Sequence, residues 1–206
     1  MSVLKQLVFT PRCSICGQLG VDFCVTCVEK VKPFRARDLV EIDLCFCAGE
    51  YSDWLRDSII CYKNGEAKYT ALLSHLLRNA LESSIKSQNL TLIPIPSSPQ
   101  KVRERGFDAM ANLCTNVIKG SESATMDASN LFLRRTVLDQ VGLTAMQRQE
   151  NLSGAFGVRR VVNGTVVIVD DVITTGATLN SAAKVLKHAG AQRVLALALC
   201  GTPKTR

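Results

Sequence analysis

Residues 166–179 read VVIVDDVITTGATL, and this stretch decides the fold. Its first four residues are β-branched and apolar at every position. That is the pattern of a strand buried on both faces, and 166–169 is read as one. Two adjacent carboxylates, Asp170 and Asp171, follow it. Small hydroxyl and glycine residues come next. Helical spacing then begins over 178–189, with Leu179, Ala182, Ala183 and Leu186 on one side. A second apolar strand is expected at 194–199. Strand, helix and strand in this order imply a parallel sheet with right-handed crossovers, hence an α/β fold. Such sheets bind ligands at the carboxyl ends of their strands, where the two acids stand.

The chemistry of the turn agrees with that position. A helix start presents free backbone N–H groups and the positive end of the helix dipole. Thr174, Thr175 and Thr178 add hydroxyl donors, and Gly176 and Ala177 keep the turn small, with Gly176 expected to let the backbone close on an anion. Residues 174–178 therefore read as a phosphate cradle. Asp170 and Asp171 would repel phosphate, so they suit sugar hydroxyls or a metal that carries other phosphates. Together the segment describes a phosphorylated ribose. It is neither a P-loop, since no Gly-Lys-Ser/Thr follows, nor a dinucleotide fingerprint, since G-x-G-x-x-G is absent. Threonines that merely cap a helix are the plain alternative, and capping requires neither acid.

Working outward, 43–51 alternates like a strand, 54–62 and 69–81 carry helical periodicity, and 90–95 is a strand closed off by Pro94 and Pro96. A helix is expected over 108–119, stopped by Gly120, and a short strand at 131–133. Residues 121–130 read as a polar loop, and 134–157 as a long polar loop with a helical turn or two. The two histidines, His75 and His188, fall on predicted helices and receive no catalytic role.

The 206 residues include nine cysteines, an odd number that excludes complete internal disulfide pairing. The opening MSVLKQLVFTPRC breaks its apolar run at Lys5 and Gln6, so no secretory signal is expected. The longest apolar run, 194–200, has seven residues, far short of a membrane span. The expectation is a soluble cytoplasmic protein with reduced thiols. Cys13, Cys16, Cys24 and Cys27 form C-x2-C-x7-C-x2-C, the spacing of a closed four-thiolate structural zinc site. The remaining five, Cys45, Cys47, Cys61, Cys114 and Cys200, read as buried small hydrophobes. The chain thus divides into a zinc-binding module, 1–35, and an α/β domain, 36–206.

The residues from Asp170 to Thr178 resemble the phosphoribosyl pyrophosphate (PRPP) motif of type I phosphoribosyltransferases. The wider pattern resembles the ComF family, which includes GntX-like proteins and is associated with DNA uptake in competent bacteria. It takes in the paired cysteine knuckles, Tyr62-Lys63-Asn64-Gly65, Pro94-Ile95-Pro96 and Arg105-Gly106-Phe107. It continues through Arg135-Thr136, Gln140, Leu143, Arg148, Asn151 and Gly154-Ala155-Phe156. The resemblance implies a type I phosphoribosyltransferase fold, PRPP with Mg2+ as ligand, and pentosyl transfer as the activity. It implies that 97–107 is the pyrophosphate loop, with Ser97, Arg105 and Gly106 at the ligand and Lys101 and Arg103 nearby. It implies that 134–151 closes as a lid carrying Arg135, Gln140 and Arg148, with Arg148 neutralising the departing pyrophosphate. Only residues 201–206 follow the last expected strand, so any cover for the acceptor base is expected from residues 1–65.

Net charge is +7, from 25 Lys and Arg against 18 Asp and Glu. This balance favours phosphate-bearing partners. It motivates a second reading, a single-stranded DNA-binding factor with Arg134-Arg135 and Arg159-Arg160 as contacts. A third is a PRPP-sensing protein without catalysis. Association with competence proteins follows from the resemblance alone. Aromatic residues are only 5%, which argues against extensive base-stacking platforms.

Overall fold

The computed structural model describes residues 10–86, 89–135, 152 and 154–203. Its strands are β1 (Phe34–Arg35), β2 (Leu44–Glu50), β3 (Leu90–Pro94), β4 (Ala124–Met126), β5 (Leu131–Leu133), β6 (Phe156–Val158), β7 (Thr165–Ile173) and β8 (Arg193–Gly201). Its helices are α1 (Val25–Val28), α2 (Asp53–Lys63), α3 (Lys68–Ser84), α4 (Pro99–Arg105), α5 (Ala109–Ile118) and α6 (Ala177–His188).

Six strands form one sheet in the order β1-β2-β8-β7-β3-β4. All neighbours in it are parallel except β1, which pairs antiparallel with β2 at one edge. The apolar runs of β7 and β8 explain their central places. Successive strand residues face opposite sides. Val167 and Val169, with Leu195, Leu197 and Leu199, pack under α2, α3 and α5. Val166 and Ile168, with Val194, Ala196 and Ala198, pack under α6. The alanines of β8 and Ala182 and Ala183 of α6 are small on both sides, which lets that helix lie close to the sheet. The α/β expectation and the parallel sheet are therefore observed.

Four expectations change in detail. Strand β7 does not stop at Val169 but continues through both acids to Ile173, paired with β8 as far as Gly201. The polar loop 121–130 contains β4, held by β3 in the register Leu90↔Ala124. Residues 99–105 of the expected pyrophosphate loop are a helix. Ser98 caps α4 by accepting the Lys101 N–H at 3.3 Å, Pro99 opens it, and Gly106 ends it with φ 82°. Residues 156–158, read from the sequence as part of a long loop, are strand β6, which pairs antiparallel with β5 in a two-stranded stem. A Cβ on Gly157 would lie 2.6 Å from the Phe132 ring, so only glycine fits that pairing. Arg148, Gln140, Leu143 and Asn151 lie outside the described residues.

Phe34 and Arg35, assigned from the sequence to the N-terminal module, are the edge strand of the sheet. The cysteine-bearing segment before them docks on the helical layer. The Phe23 ring meets Tyr69 edge-on at 5.4 Å, and Lys68 pairs with Asp22 at 3.1 Å. Of the five other cysteines, Cys45, Cys47, Cys114 and Cys200 are buried, as expected; Cys61 is only half-buried. Burial pushes the thiols of Cys45, Cys114 and Cys200 up to about 12, which makes them poor nucleophiles at neutral pH.

Candidate functional site

The carboxyl ends of β3 and β7 open onto a cleft of about 420 Å³. One wall is the continuous stretch from Asp170 to Leu179, which includes all five cradle residues, Thr174, Thr175, Gly176, Ala177 and Thr178. The opposite wall comes from the end of β3 and from α4, with Ser97, Ser98, Lys101 and Arg105. Lys63 enters from the end of α2. Apolar side chains, among them Ile95, Met110, Leu152 and Phe156, complete the lining. Two segments separated by some seventy residues in the sequence thus face each other across one space. Arg103 and Gly106 lie outside it. Gly106 serves as the left-handed cap of α4, donating its N–H to Val102 O at 2.8 Å.

The cradle is built by the turn into α6. Gly176 has φ 77° and is buried, and Thr175 Oγ1 accepts the Ala177 N–H at 3.3 Å. The reason for glycine differs from the expected one. A Cβ there would lie 2.4 Å from Leu39 Cδ2, so the space beside Gly176 is taken by the protein itself and not kept for an anion. Glu41 N–H donates to Asn180 Oδ1 at 3.1 Å, which holds the same 39–41 turn against α6. Gly176→Ala combines a left-handed alanine with this overlap. It is expected to cost about 2 kcal/mol or more and to lower the melting temperature, read by thermal denaturation.

The acids have unequal surroundings. Asp170 is 8% exposed, and its Oδ1 accepts the Asp171 N–H at 2.9 Å. Burial, and then the neighbouring Asp171 charge, raise its carboxyl well above the usual carboxylate range. Burial also works to raise Asp171, but the Lys63 ammonium and a hydrogen bond with Asp170 outweigh it and the net direction is down. Asp171 forms an ion pair with Lys63, side chains 23% and 27% exposed. Lys63, which the sequence offered only as part of the Tyr62–Gly65 motif, lines the cleft.

Asp108 is a residue that the sequence reading missed as a site element. One carboxylate oxygen caps α5 by accepting the Ala111 N–H at 3.1 Å, and the other accepts the Ser97 N–H at 3.0 Å. It therefore ties together both ends of the excursion that carries α4, and fixes Ser97 at the cleft. An aspartate before a helix was visible as a cap; its second bond was not.

The candidate metal centre lies apart from the cleft. The Sγ atoms of Cys13, Cys16, Cys24 and Cys27 all lie within 4.8 Å of one another. Cys24 Sγ is 3.7 Å from both Cys13 Sγ and Cys16 Sγ. Four Zn–S bonds of about 2.3 Å in a tetrahedron require S–S edges of about 3.8 Å, so the arrangement fits that ion. The Cys24 N–H donates to Cys13 Sγ at 3.4 Å, and backbone donors from Cys24, Cys16 and Ile15 bring that thiol down to about 6. Donors aimed at sulfur favour the thiolate, the form that binds metal.

Of the proposed nucleic-acid contacts, Arg159 and Arg160 have partners within the chain. Arg160 pairs with Asp127 at 2.8 Å, and the Arg159 guanidinium stacks over the Phe132 ring at 4.5 Å. Both hold the β5–β6 stem. Among the described residues, no helix is long and apolar enough to cross a membrane.

Comparison with known proteins agrees with the α/β fold. Residues 135–206 match the phosphoribosyl transferase domain family. The chain is 29% identical to the DNA utilization protein YhgH of Salmonella typhi over 205 residues, covering 93% of this chain and 86% of that one. It is 28% identical to competence protein F of Haemophilus influenzae over 206 residues, 92% and 84% of the two chains. It is 26% identical to competence protein ComFC of Streptococcus pneumoniae over 154 residues, 72% and 64%. The chain is thus similar over most of its length to competence protein F and, over residues 135–206, to the phosphoribosyl transferase domain family.

Proposed function

We propose that the protein binds PRPP and transfers its phosphoribosyl group to an acceptor. The observation that carries this reading is the cleft, where an anion-binding helix start and a basic helix flank a pair of acids. The 5′-phosphate sits on residues 174–178, at the N-terminus of α6, where the positive end of the helix dipole and the threonine hydroxyls favour an anion. Asp170 and Asp171 take the ribose 2′- and 3′-hydroxyls. The diphosphate lies toward Ser97, Lys101 and Arg105, and the cationic ends of Lys101 and Arg105 suit a multiply charged leaving group. Positive charge developing at the anomeric carbon meets the negative Asp171 side of the cleft. Mg2+ bound through the diphosphate would supply the remaining charge neutralisation, as it does for phosphate ligands generally. The apolar wall keeps water from the reacting carbon.

The four cysteines are proposed to hold structural Zn2+, since a closed thiolate set leaves no position for a substrate. The relatives' names, competence protein and DNA utilization protein, support a role in competence; we place that role in DNA uptake, in the cytoplasm and alongside competence proteins. The tie-down of Arg159 and Arg160 weighs against a reading as a general single-strand binder. The test is pyrophosphate release from PRPP with Mg2+ over a panel of bases, nucleosides and single-stranded DNA. Turnover with at least one acceptor is expected. Release with none of them overturns transfer.

A further inference from the structure

Lys63 ends α2 beside a residue that fixes its backbone. The Tyr62 hydroxyl donates to Ala109 O at 2.9 Å and lies 3.0 Å from Asn112 Oδ1, and the ring meets Phe107 edge-on at 5.5 Å. Gly65 N–H then closes the turn on Tyr62 O at 3.0 Å. From this anchored base the ammonium reaches across to Asp171, 108 residues away in the chain. A lysine brings three donors and one positive charge and accepts nothing, and here its partner is a carboxylate. It stands beside two adjacent acids on β7 that face a partly closed cleft. Paired carboxylates facing a cleft attract divalent ions unless another cation is already there.

We infer that Lys63 is the resident counter-cation of the acid pair: its ammonium occupies the place at Asp171 that a divalent ion would take, and excludes such ions until a ligand brings its own. Lys63 is then a positioning residue, acting on the ligand through Asp171. The identity of that ligand rests on the PRPP reading, but the occupancy of the acid pair does not.

The test uses Mn2+ alone, titrated into the full zinc-loaded chain and followed by electron paramagnetic resonance. Wild type is expected to bind Mn2+ weakly at this site. Lys63→Met is expected to bind it at least about tenfold more tightly, because a unit charge in contact with Asp171 has gone. Lys63→Arg, which keeps the charge, is expected to return toward wild type. Adding Asp171→Asn to Lys63→Met is expected to erase the gain. Thermal denaturation checks that each variant is folded, and Lys63→Gln gives the same readout should the Met variant melt early. Equal Mn2+ affinity in wild type and Lys63→Met overturns the inference, as does a gain that survives Asp171→Asn. No phosphoribosyl compound enters the assay, so a failure of PRPP binding is a separate result.

Discussion

Cys24→Ser is expected to cost the chain the Zn2+ proposed at its four cysteines and to loosen residues 13–28. Cys24 is the sulfur that stands 3.7 Å from two of the others, and it also precedes α1 as its cap residue. Binding of a structural zinc by such a site contributes about 10–16 kcal/mol in isolated peptides, so its loss dominates anything the module's small apolar contacts supply. Leu19, Val21 and Val25 are exposed and add little. The Phe23–Tyr69 contact and the Lys68–Asp22 pair are the links to α3, and one of these is an exposed ion pair of modest worth. The expected result is loss of metal by elemental analysis and fast amide exchange through residues 13–28. Exchange in β7 and β8 stays slow, because their core is made with α2, α3, α5 and α6. A chelator strong enough to strip the ion gives the same pattern. Slow exchange in the metal-free module would contradict the account.

Asp170→Asn raises stability at neutral pH while weakening the ligand. The folded Asp170 carboxyl is held well above the 3.8 of a free aspartate. The folded chain therefore keeps a proton that the unfolded chain sheds once pH exceeds that value. Stability falls as pH rises from there toward the folded value, and the deficit is fully present above it. Asparagine keeps an acceptor for the Asp171 N–H and carries no proton to lose. Its melting temperature is expected to exceed that of wild type at pH 7, by roughly 2–4 °C for each kcal/mol at this chain length, with the gap closing toward pH 4. The same change replaces an acceptor proposed for a ribose hydroxyl, so affinity for PRPP is expected to fall at least about tenfold, a trade of stability against function. Calorimetric melting across pH checks the first part, and titration with ligand the second.

Much of this molecule was legible in its sequence because the decisive signals are local. The unbroken apolar runs of β7 and β8, the threonine turn and the two cysteine knuckles each lie within a few residues. What escaped is instructive. Helix α4 buries no residue, so it has no apolar face for periodicity to find. Its caps, Ser98-Pro99 and Gly106, were the available signal. Strand β4 is three residues long and owes its place to β3, a partner more than thirty residues away. Gly176 was correctly singled out but for the wrong neighbour, since nothing local announces Leu39. The Lys63–Asp171 pair and the second bond of Asp108 depend on how the layers stack, which spacing alone does not encode.

The central claim is that the cleft between α4 and the start of α6 is a PRPP site. Isothermal titration of the full chain with PRPP and Mg2+ tests it most directly, in wild type and in Asp171→Ala. The account predicts one site per chain, competed by both ribose 5-phosphate and pyrophosphate, and at least about 100-fold weaker in the variant, which loses a charged hydrogen-bonding partner of the ribose. A folded wild-type protein that takes up no PRPP, or an Asp171→Ala variant that binds it equally well, would contradict the account.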